Sequence, residues 1–117
     1  MISFTANVVP VTFKRTFSHG TRRFNDARYT KFKADVGYFA RRAMDGRPPP
    51  FGPVKISVDV FQNLDPTALK FGDADNHLKA VCDALNGICF CDDRQVVVAT
   101  VRLHRGEPRI EIELEEI

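Results

Sequence analysis

The chain has 117 residues, of which 44% are hydrophobic and 27% are charged. This length and composition predict one globular domain over residues 1–117 and exclude an intrinsically disordered chain. No apolar run approaches the roughly 20 residues of a membrane-spanning helix, and the first residues lack the basic-then-apolar order of a signal peptide. Three cysteines without a disulfide framework favour a reducing compartment, so we expect a cytoplasmic protein that does not act at a membrane.

The net charge of +2 conceals an asymmetry along the chain. Residues 1–55 carry eleven basic and three acidic side chains, a net charge of +8, and residues 56–117 carry six basic and twelve acidic ones, a net charge of −6. A basic half could grip phosphates while an acidic half holds metal. The two halves could equally pair with each other, and the charges alone favour neither interpretation.

The first 27 residues predict a strand followed by a basic loop. Residues 2–9 alternate apolar and polar side chains, which favours a β-strand ending before Pro10. Residues 11–27 interleave phenylalanines with basic side chains and have no clean period. We expect an exposed loop that contacts phosphates and stacks on unpaired bases, or one whose phenylalanines anchor it to the core. The candidate DNA contacts are Lys14, Arg15, Arg22 and Arg23.

A long helix and a second strand follow this loop. Asn25 or Asp26 can cap a helix that runs to about Asp45 with one apolar stripe. The Gly- and Pro-rich residues 46–50 end it as a stiff connector. Residues 54–61 alternate apolar and polar side chains, as expected of a half-buried strand.

A second helix is predicted from about Asp75 to Asn86. Asp73 follows Gly72 and can cap the helix at its start, and Gly87 can take the left-handed conformation that ends it. The apolar face of this helix comprises Leu78, Val81, Cys82 and Leu85. The polar stripe beside it comprises Asp75, Lys79 and Asp83.

Carboxylates bracket this second helix, with Asp73 and Asp75 at its start and Asp92 and Asp93 after its end. Two carboxylates about 4 Å apart repel by roughly 1 kcal/mol in water and roughly 4 kcal/mol near a protein surface. The helix N-terminus offsets part of this repulsion for the first two. A third carboxylate from Asp93 would need a divalent cation, and Mg²⁺ takes such oxygen ligands. Lys79 lies one turn after Asp75, within reach of a phosphate.

Two further strands complete the predicted fold. Residues 96–104 are rich in β-branched side chains, which favours a central strand. In residues 109–114 the aliphatic side chains alternate with glutamates that mark either a solvated sheet face or a charged edge. The predicted fold is α/β (α+β), a two-layer arrangement of two main helices and a mixed sheet in the order β-α-β-α-β-β.

Other chemistries find little support in the sequence. Cys82, Cys89 and Cys91 lack the paired spacing of structural zinc sites, so we expect buried thiols. His77 is expected on the exposed side of its helix, with no Ser or Cys arranged beside it for nucleophilic catalysis. No Gly-rich phosphate loop occurs in the sequence, which argues against a nucleotide cofactor.

The second helix and the turn after it share a specific pattern with one protein family. The pattern is Asp73-x-Asp75-Asn76-x-x-Lys79-Ala80-x-x-Asp83-Ala84-Leu85-Asn86-Gly87, followed by Asp92-Asp93-x-Gln95-Val96. It resembles the RusA family of phage-type Holliday junction resolvases over about a quarter of the chain. The resemblance implies a RusA-like domain that acts as a homodimer with Mg²⁺, or with Mn²⁺ in its place. Such an enzyme makes symmetric nicks in branched DNA, namely in the four-way junction that arises in recombination and repair.

The resemblance also implies roles for the matching residues. The catalytic set comprises the metal-binding carboxylates Asp73, Asp75 and Asp93 and the essential basic residue Lys79. Asn76 could hold a carboxylate in place, and Asp92 matches the pattern as an auxiliary residue. In the loop of residues 62–72, Lys70 would contact DNA, and Phe71 would either insert at the junction centre or pack beneath the loop.

Two alternatives stand beside the junction nuclease. The chain could be a non-catalytic nucleic-acid-binding module whose carboxylates are helix caps and surface charge. It could also be a metal nuclease for flaps or other branched DNA. Junction binding in Ca²⁺ without cleavage in Mg²⁺ or Mn²⁺ would favour the binding module, and a comparison of branched substrates would identify a flap nuclease.

Overall fold

Two helices and four strands form the described part of the protein, which in the computed structural model comprises residues 1–13, 27–67 and 72–117. The strands are β1 (Ile2–Ala6), β2 (Val54–Gln62), β3 (Val96–Arg105) and β4 (Arg109–Glu116). The helices are α1 (Ala27–Met44) and α2 (Ala74–Leu85), and a short 3₁₀ turn, Asp93–Gln95, precedes β3. The predicted element order and the α+β class are confirmed.

The four strands form one mixed sheet in the order β1-β4-β2-β3. β4 pairs antiparallel with both β1 and β2, whereas β2 and β3 run parallel, with Val58 opposite Val101. Parallel neighbours begin at the same end of a sheet, so the chain must return along the sheet between them. α2 makes this return, and it therefore carries the chain from the end of β2 back to the beginning of β3.

The core lies between the two helices and one face of the sheet. β2 and β4 alternate, so every second residue of each strand enters the core. α1 and α2 each contribute an apolar stripe, and the largest fully buried side chains include Phe90, Ile56 and Leu85. The other face of the sheet is polar, with Lys55 and Glu113 exposed on it.

In the sheet formed by the described residues β3 is an edge strand, so its prediction as a central strand was wrong. Among the described strands it pairs with β2 alone, and Val97 and Val98 are 60% and 43% exposed. A β-branched run indicates a strand but not how many neighbours it has, because pairing depends on the rest of the chain. The glutamate-rich strand is instead internal as β4, and its glutamates mark the solvated sheet face, one of the two predicted alternatives.

α1 ends close to the residue at which the sequence predicts its end. Asp45 and Gly46 take positive φ values of 50° and 77° directly after Met44, and the Pro-rich connector follows. The predicted cap at Asn25 or Asp26 lies outside the described residues. Neither helix of the described residues is long and apolar enough to cross a membrane.

Candidate metal and DNA site

Asp73 begins α2 as its N-terminal cap. Its backbone is extended (φ −81°, ψ 124°), and its Oδ1 accepts a hydrogen bond from the backbone N–H of Asp75 at 3.0 Å. The carbonyl of Asp73 accepts the backbone N–H groups of Asn76 and His77, both at 3.0 Å. The predicted cap is confirmed. Asp73 and Asp75, here called the α2 carboxylate pair, are both exposed at the positive end of the helix.

Lys79 and Asn76 follow the α2 carboxylate pair on the first turns of the helix. Nζ of Lys79 lies 5.7 Å from the ring centroid of Phe13, within cation–π range. The backbone N–H of Phe13 donates to the carbonyl of Asn76 at 3.0 Å. Lys79 is exposed and one turn beyond Asp75, so its ammonium can approach a phosphate held at the pair.

Asp83 serves a different purpose from the α2 carboxylate pair. Its Oδ2 accepts a hydrogen bond from the hydroxyl of Tyr29 at 2.5 Å, which ties α2 to α1. Burial raises the pKa of Tyr29 well above its usual value, and the hydrogen bond and charge of Asp83 raise it further. The predicted polar stripe therefore divides into Asp75 and Lys79, which are exposed, and Asp83, which braces the two helices.

The Asp92–Asp93 turn, which precedes β3, opens with a capping box. Oδ1 of Asp92 accepts the backbone N–H of Arg94 at 2.8 Å, and Oε1 of Gln95 accepts the backbone N–H of Asp92 at 3.0 Å. The backbone and side-chain hydrogen bonds from Arg94 lower the pKa of Asp92 below its usual value. Asp92 therefore builds the turn, and the exposed Asp93 is the carboxylate that can face a ligand.

Gln95 fastens this turn to the connector before β2. Its Oε1 accepts the backbone N–H groups of Cys91 and Asp92 at 2.8 and 3.0 Å. Its Nε2 donates to the carbonyls of Pro50 and Gly52, both at 2.8 Å. Sequence reasoning matched Gln95 to a motif but gave it no role. A Gln three residues after an Asp is a capping-box signature, and that signal could have found it.

His77 is buried, so its prediction as an exposed helix residue was wrong. Only 3% of it is exposed, and its Nε2 lies 3.1 Å from Nε2 of Gln62 at the end of β2. A Cβ added to Gly72 would lie 2.8 Å from the same ring nitrogen. Helical periodicity missed this burial because β2 and the loop before α2 cover the ring, and neither belongs to the helix.

Within one chain, α2 separates the two sets of carboxylates. The contact between His77 and Gln62 puts the α2 carboxylate pair where β2 ends. The bonds from Gln95 to Pro50 and Gly52 put the Asp92–Asp93 turn where β2 begins. The 12 residues of α2 span about 18 Å. Within the described ranges, no group of three or more His, Cys, Asp or Glu side chains could hold a metal ion.

The α2 carboxylate pair by itself suits a hard divalent cation. Mg²⁺ usually retains several waters and takes one or two carboxylates together with phosphate oxygens. Asp73 and Asp75 supply that number of exposed oxygen donors from one helix turn. Asp93, the predicted third ligand, lies on the turn that follows α2, and its place in a metal site stays a prediction.

Two of the three cysteines are buried, as predicted, and Cys91 is exposed, which corrects the prediction for that residue. Burial raises the pKa of Cys89 to about 11. Burial also raises the pKa of Cys82 to about 12, with smaller contributions from the charges of Asp93 and Asp83. Asp93 therefore lies near Cys82. Along α2, Cys82 is seven residues, or about 10 Å, beyond Asp75.

Replacing Cys89 by Ala should flatten the alkaline loss of stability. A thiol whose pKa is raised by folding contributes stability fully below its unfolded pKa of about 8.5, and this stability is lost as pH rises towards 11. We expect the free energy of unfolding to fall by up to about 1.4 kcal/mol per pH unit for this thiol. Urea unfolding between pH 8 and 10 measures the slope. Identical slopes for wild type and Cys89→Ala would contradict the prediction.

The predicted DNA contacts Lys14, Arg15, Arg22, Arg23, Lys70 and Phe71 all lie outside the described residues. Two described residues, one on each side of the first basic segment, contact α2. Phe13 lies beside Lys79, and Tyr29 is bonded to Asp83. The rings of Phe13 and Tyr29 also meet edge to face, with 6.0 Å between their centroids.

Comparison with protein families agrees with the motif in α2. A family model described as Endodeoxyribonuclease RusA matches residues 7–115 of the chain. The matched region contains both helices, β2, β3 and nearly all of β4. Comparison with curated proteins gives no match. Since the family model spans most of the chain, this protein belongs to the RusA family of endodeoxyribonucleases.

Proposed function

We propose that this endodeoxyribonuclease resolves four-way DNA junctions by paired, symmetric nicks in recombination and repair, with Mg²⁺ as cofactor and Mn²⁺ as a substitute. The family acts on Holliday junctions. The observation that carries the metal proposal is the α2 carboxylate pair, exposed at a helix N-terminus with Lys79 one turn away. These three side chains bring oxygen ligands and a phosphate-neutralising cation to one surface.

The proposed chemistry assigns each of these side chains one task. Asp73 and Asp75 bind the cation through their carboxylate oxygens, and Lys79 neutralises the scissile phosphate. When bound, the cation supplies Lewis-acid stabilisation of the charge that builds on the phosphate. Asn76, between the pair and Lys79 in sequence, orients a carboxylate of the pair.

A homodimer resolves the separation between the α2 carboxylate pair and Asp93. A two-fold axis that lies beside the middle of α2 and perpendicular to it would set the two copies of the helix antiparallel. The start of each α2 would then lie near the end of the other, and Asp73 and Asp75 of one copy would approach Asp93 of its partner. One dimer would carry two such sites, which suits paired nicks in two symmetry-related strands.

The edge strand β3 supports a dimer of this kind. It follows the Asp92–Asp93 turn and carries the exposed Val97 and Val98. An edge strand presents unpaired backbone groups, and exposed apolar side chains along it favour cover by another chain. A partner seated there would lie next to Asp93.

The basic side chains complete the proposal as DNA contacts. Lys14, Arg15, Arg22 and Arg23 would grip phosphates, as their charge and number suggest. Phe13 beside Lys79 and Tyr29 beside Asp83 support this assignment, because they hold the described ends of the chain around this segment against α2. Lys70 and Phe71 would act where the loop of residues 62–72 meets the branch point.

A comparison of three DNA substrates tests the proposed function. We expect Mg²⁺-dependent nicking of a mobile four-way junction at a rate at least about tenfold above that of a flap and a linear duplex. Paired nicks in opposing strands should appear on denaturing gels. Preferred cleavage of the flap would reassign the substrate, and junction binding in Ca²⁺ without cleavage in Mg²⁺ or Mn²⁺ would indicate a binding module.

A further inference from the structure

We infer that His77 is a positioning residue that holds the α2 carboxylate pair at the end of β2, an inference that rests on the proposed function. Among the described residues, His77 is the one buried polar or charged side chain, with 3% of it exposed. Burying a polar group costs free energy unless its hydrogen bonds are met. An apolar residue would pack at this position without that cost, so the ring has a purpose that packing alone does not explain.

The ring of His77 contacts the end of β2. Its Nε2 lies 3.1 Å from Nε2 of Gln62, the last residue of that strand. An amide nitrogen only donates, so the imidazole nitrogen accepts in this contact. This hydrogen bond joins α2 to the sheet one turn from the carboxylates.

The same ring lies beneath the bend that leads into Asp73. Gly72 has φ +89°, and a Cβ at this position would come within 2.8 Å of Nε2 of His77. The backbone therefore approaches the ring more closely than any residue with a side chain could. Asp73 comes next, and its carbonyl accepts the backbone N–H of His77 at 3.0 Å.

The two contacts of the ring hold the start of α2 against the sheet and against the loop, and the backbone bond to Asp73, which any residue at this position would make, places the first proposed ligand on the helix. A shift of the ring would move the bend at Gly72 and with it the carboxylate of Asp73. Residues that orient metal ligands from behind typically change metal affinity by about 10–100-fold when they are replaced. A histidine that only fills space would change stability and leave metal affinity intact.

The test measures Mn²⁺ binding by the full chain, with electron paramagnetic resonance used to monitor the free ion. His77→Phe keeps a planar ring and removes the bond to Gln62, and we expect it to weaken Mn²⁺ binding by about 10–100-fold. The Mg²⁺ concentration for half-maximal nicking should rise by the same factor, with the rate at saturating Mg²⁺ within about threefold of wild type. His77→Gln, which can still accept a hydrogen bond, should recover most of the affinity.

Two further variants separate positioning from folding. Gln62→Met removes the same hydrogen bond from the strand side, where the residue is only half-buried, so it provides the test if His77→Phe fails to fold. Val36→Ala in α1 opens the core away from the pair and should lower the melting temperature without changing Mn²⁺ affinity. His77→Phe and Gln62→Met variants that bind Mn²⁺ as tightly as wild type would overturn the inference alone. Wild type that binds Mn²⁺ no better than Asp75→Asn would overturn the proposed metal function and the inference together.

Discussion

Replacing Asp75 by Asn should reduce Mg²⁺-dependent nicking of a four-way junction by about 10³-fold. The substitution removes one of the two proposed metal ligands on α2. Metal-ion stabilisation of a transition state is worth several kcal/mol, and each 1.36 kcal/mol equals a factor of ten in rate. Stability without metal should stay within about 1 kcal/mol of wild type, because lost helix-dipole attraction opposes relieved repulsion between carboxylates. Single-turnover nicking and urea unfolding measure the two effects.

Asp35→Asn is the matched control for this prediction. Asp35 lies on α1, where it pairs with Lys31 at 2.7 Å on the surface, and exposed pairs of this kind contribute at most about 1 kcal/mol. This variant should nick at the wild-type rate. If Asp75→Asn unfolds, its carboxylate is structural, and if it nicks normally, the metal proposal for α2 is wrong.

Mixing Asp75→Asn with Asp93→Asn subunits tests whether two copies share each site. Each variant alone should be inactive. A mixed dimer would have one site with both substitutions and one with neither, so random exchange of subunits should restore about a quarter of the wild-type sites. Sites built within single chains would give no recovery, because every site in a mixed dimer would then carry one substitution.

Replacing Gln95 by Leu should destabilise the fold by about 2–4 kcal/mol. Leu has a similar length but leaves two backbone N–H groups and two carbonyls without their partner, each costing about 1–3 kcal/mol where water cannot replace it. Partial exposure of these groups limits the total. Urea unfolding at pH 7 measures the loss. Nicking should also fall, because the turn that carries Asp93 would separate from the connector at Pro50 and Gly52.

Arg94→Ala controls for the Gln95 variant within the same turn. Its side chain is 87% exposed and forms an ion pair with Asp92 at 3.2 Å, so its loss should cost less than about 1 kcal/mol. A Gln95→Leu variant as stable as Arg94→Ala would mean that water satisfies the four backbone groups and that the tether adds little.

Local sequence signals predicted α2 and its cap closely. Asp73 followed by an apolar period of three and four residues specifies where a helix begins and which face it buries, since both depend on neighbours within one turn. The prediction ran from about Asp75 to Asn86, and the helix runs from Ala74 to Leu85. The alternation in β2 and β4 was equally informative, because strand side chains point to opposite faces in turn.

Long-range contacts account for what the sequence did not predict. His77 is covered by Gln62, fifteen residues away, and Gln95 is bonded to Pro50, forty-five residues away. No periodicity within a helix or turn reports such a partner. The position of β3 at the edge of the described sheet has the same origin, since which strands pair with it depends on all the strands of the sheet.

By itself, the sequence determined the elements, the core faces and membership of a nuclease family, because caps, alternation and a dense motif are local properties. Only the tertiary structure decided where the motif's carboxylates lie relative to one another. A parallel pair of strands requires the chain to return along α2, so residues twenty apart in one motif end at opposite ends of a helix. This separation of Asp93 from Asp73 and Asp75 along α2 is the basis for the proposal that a second copy completes the site.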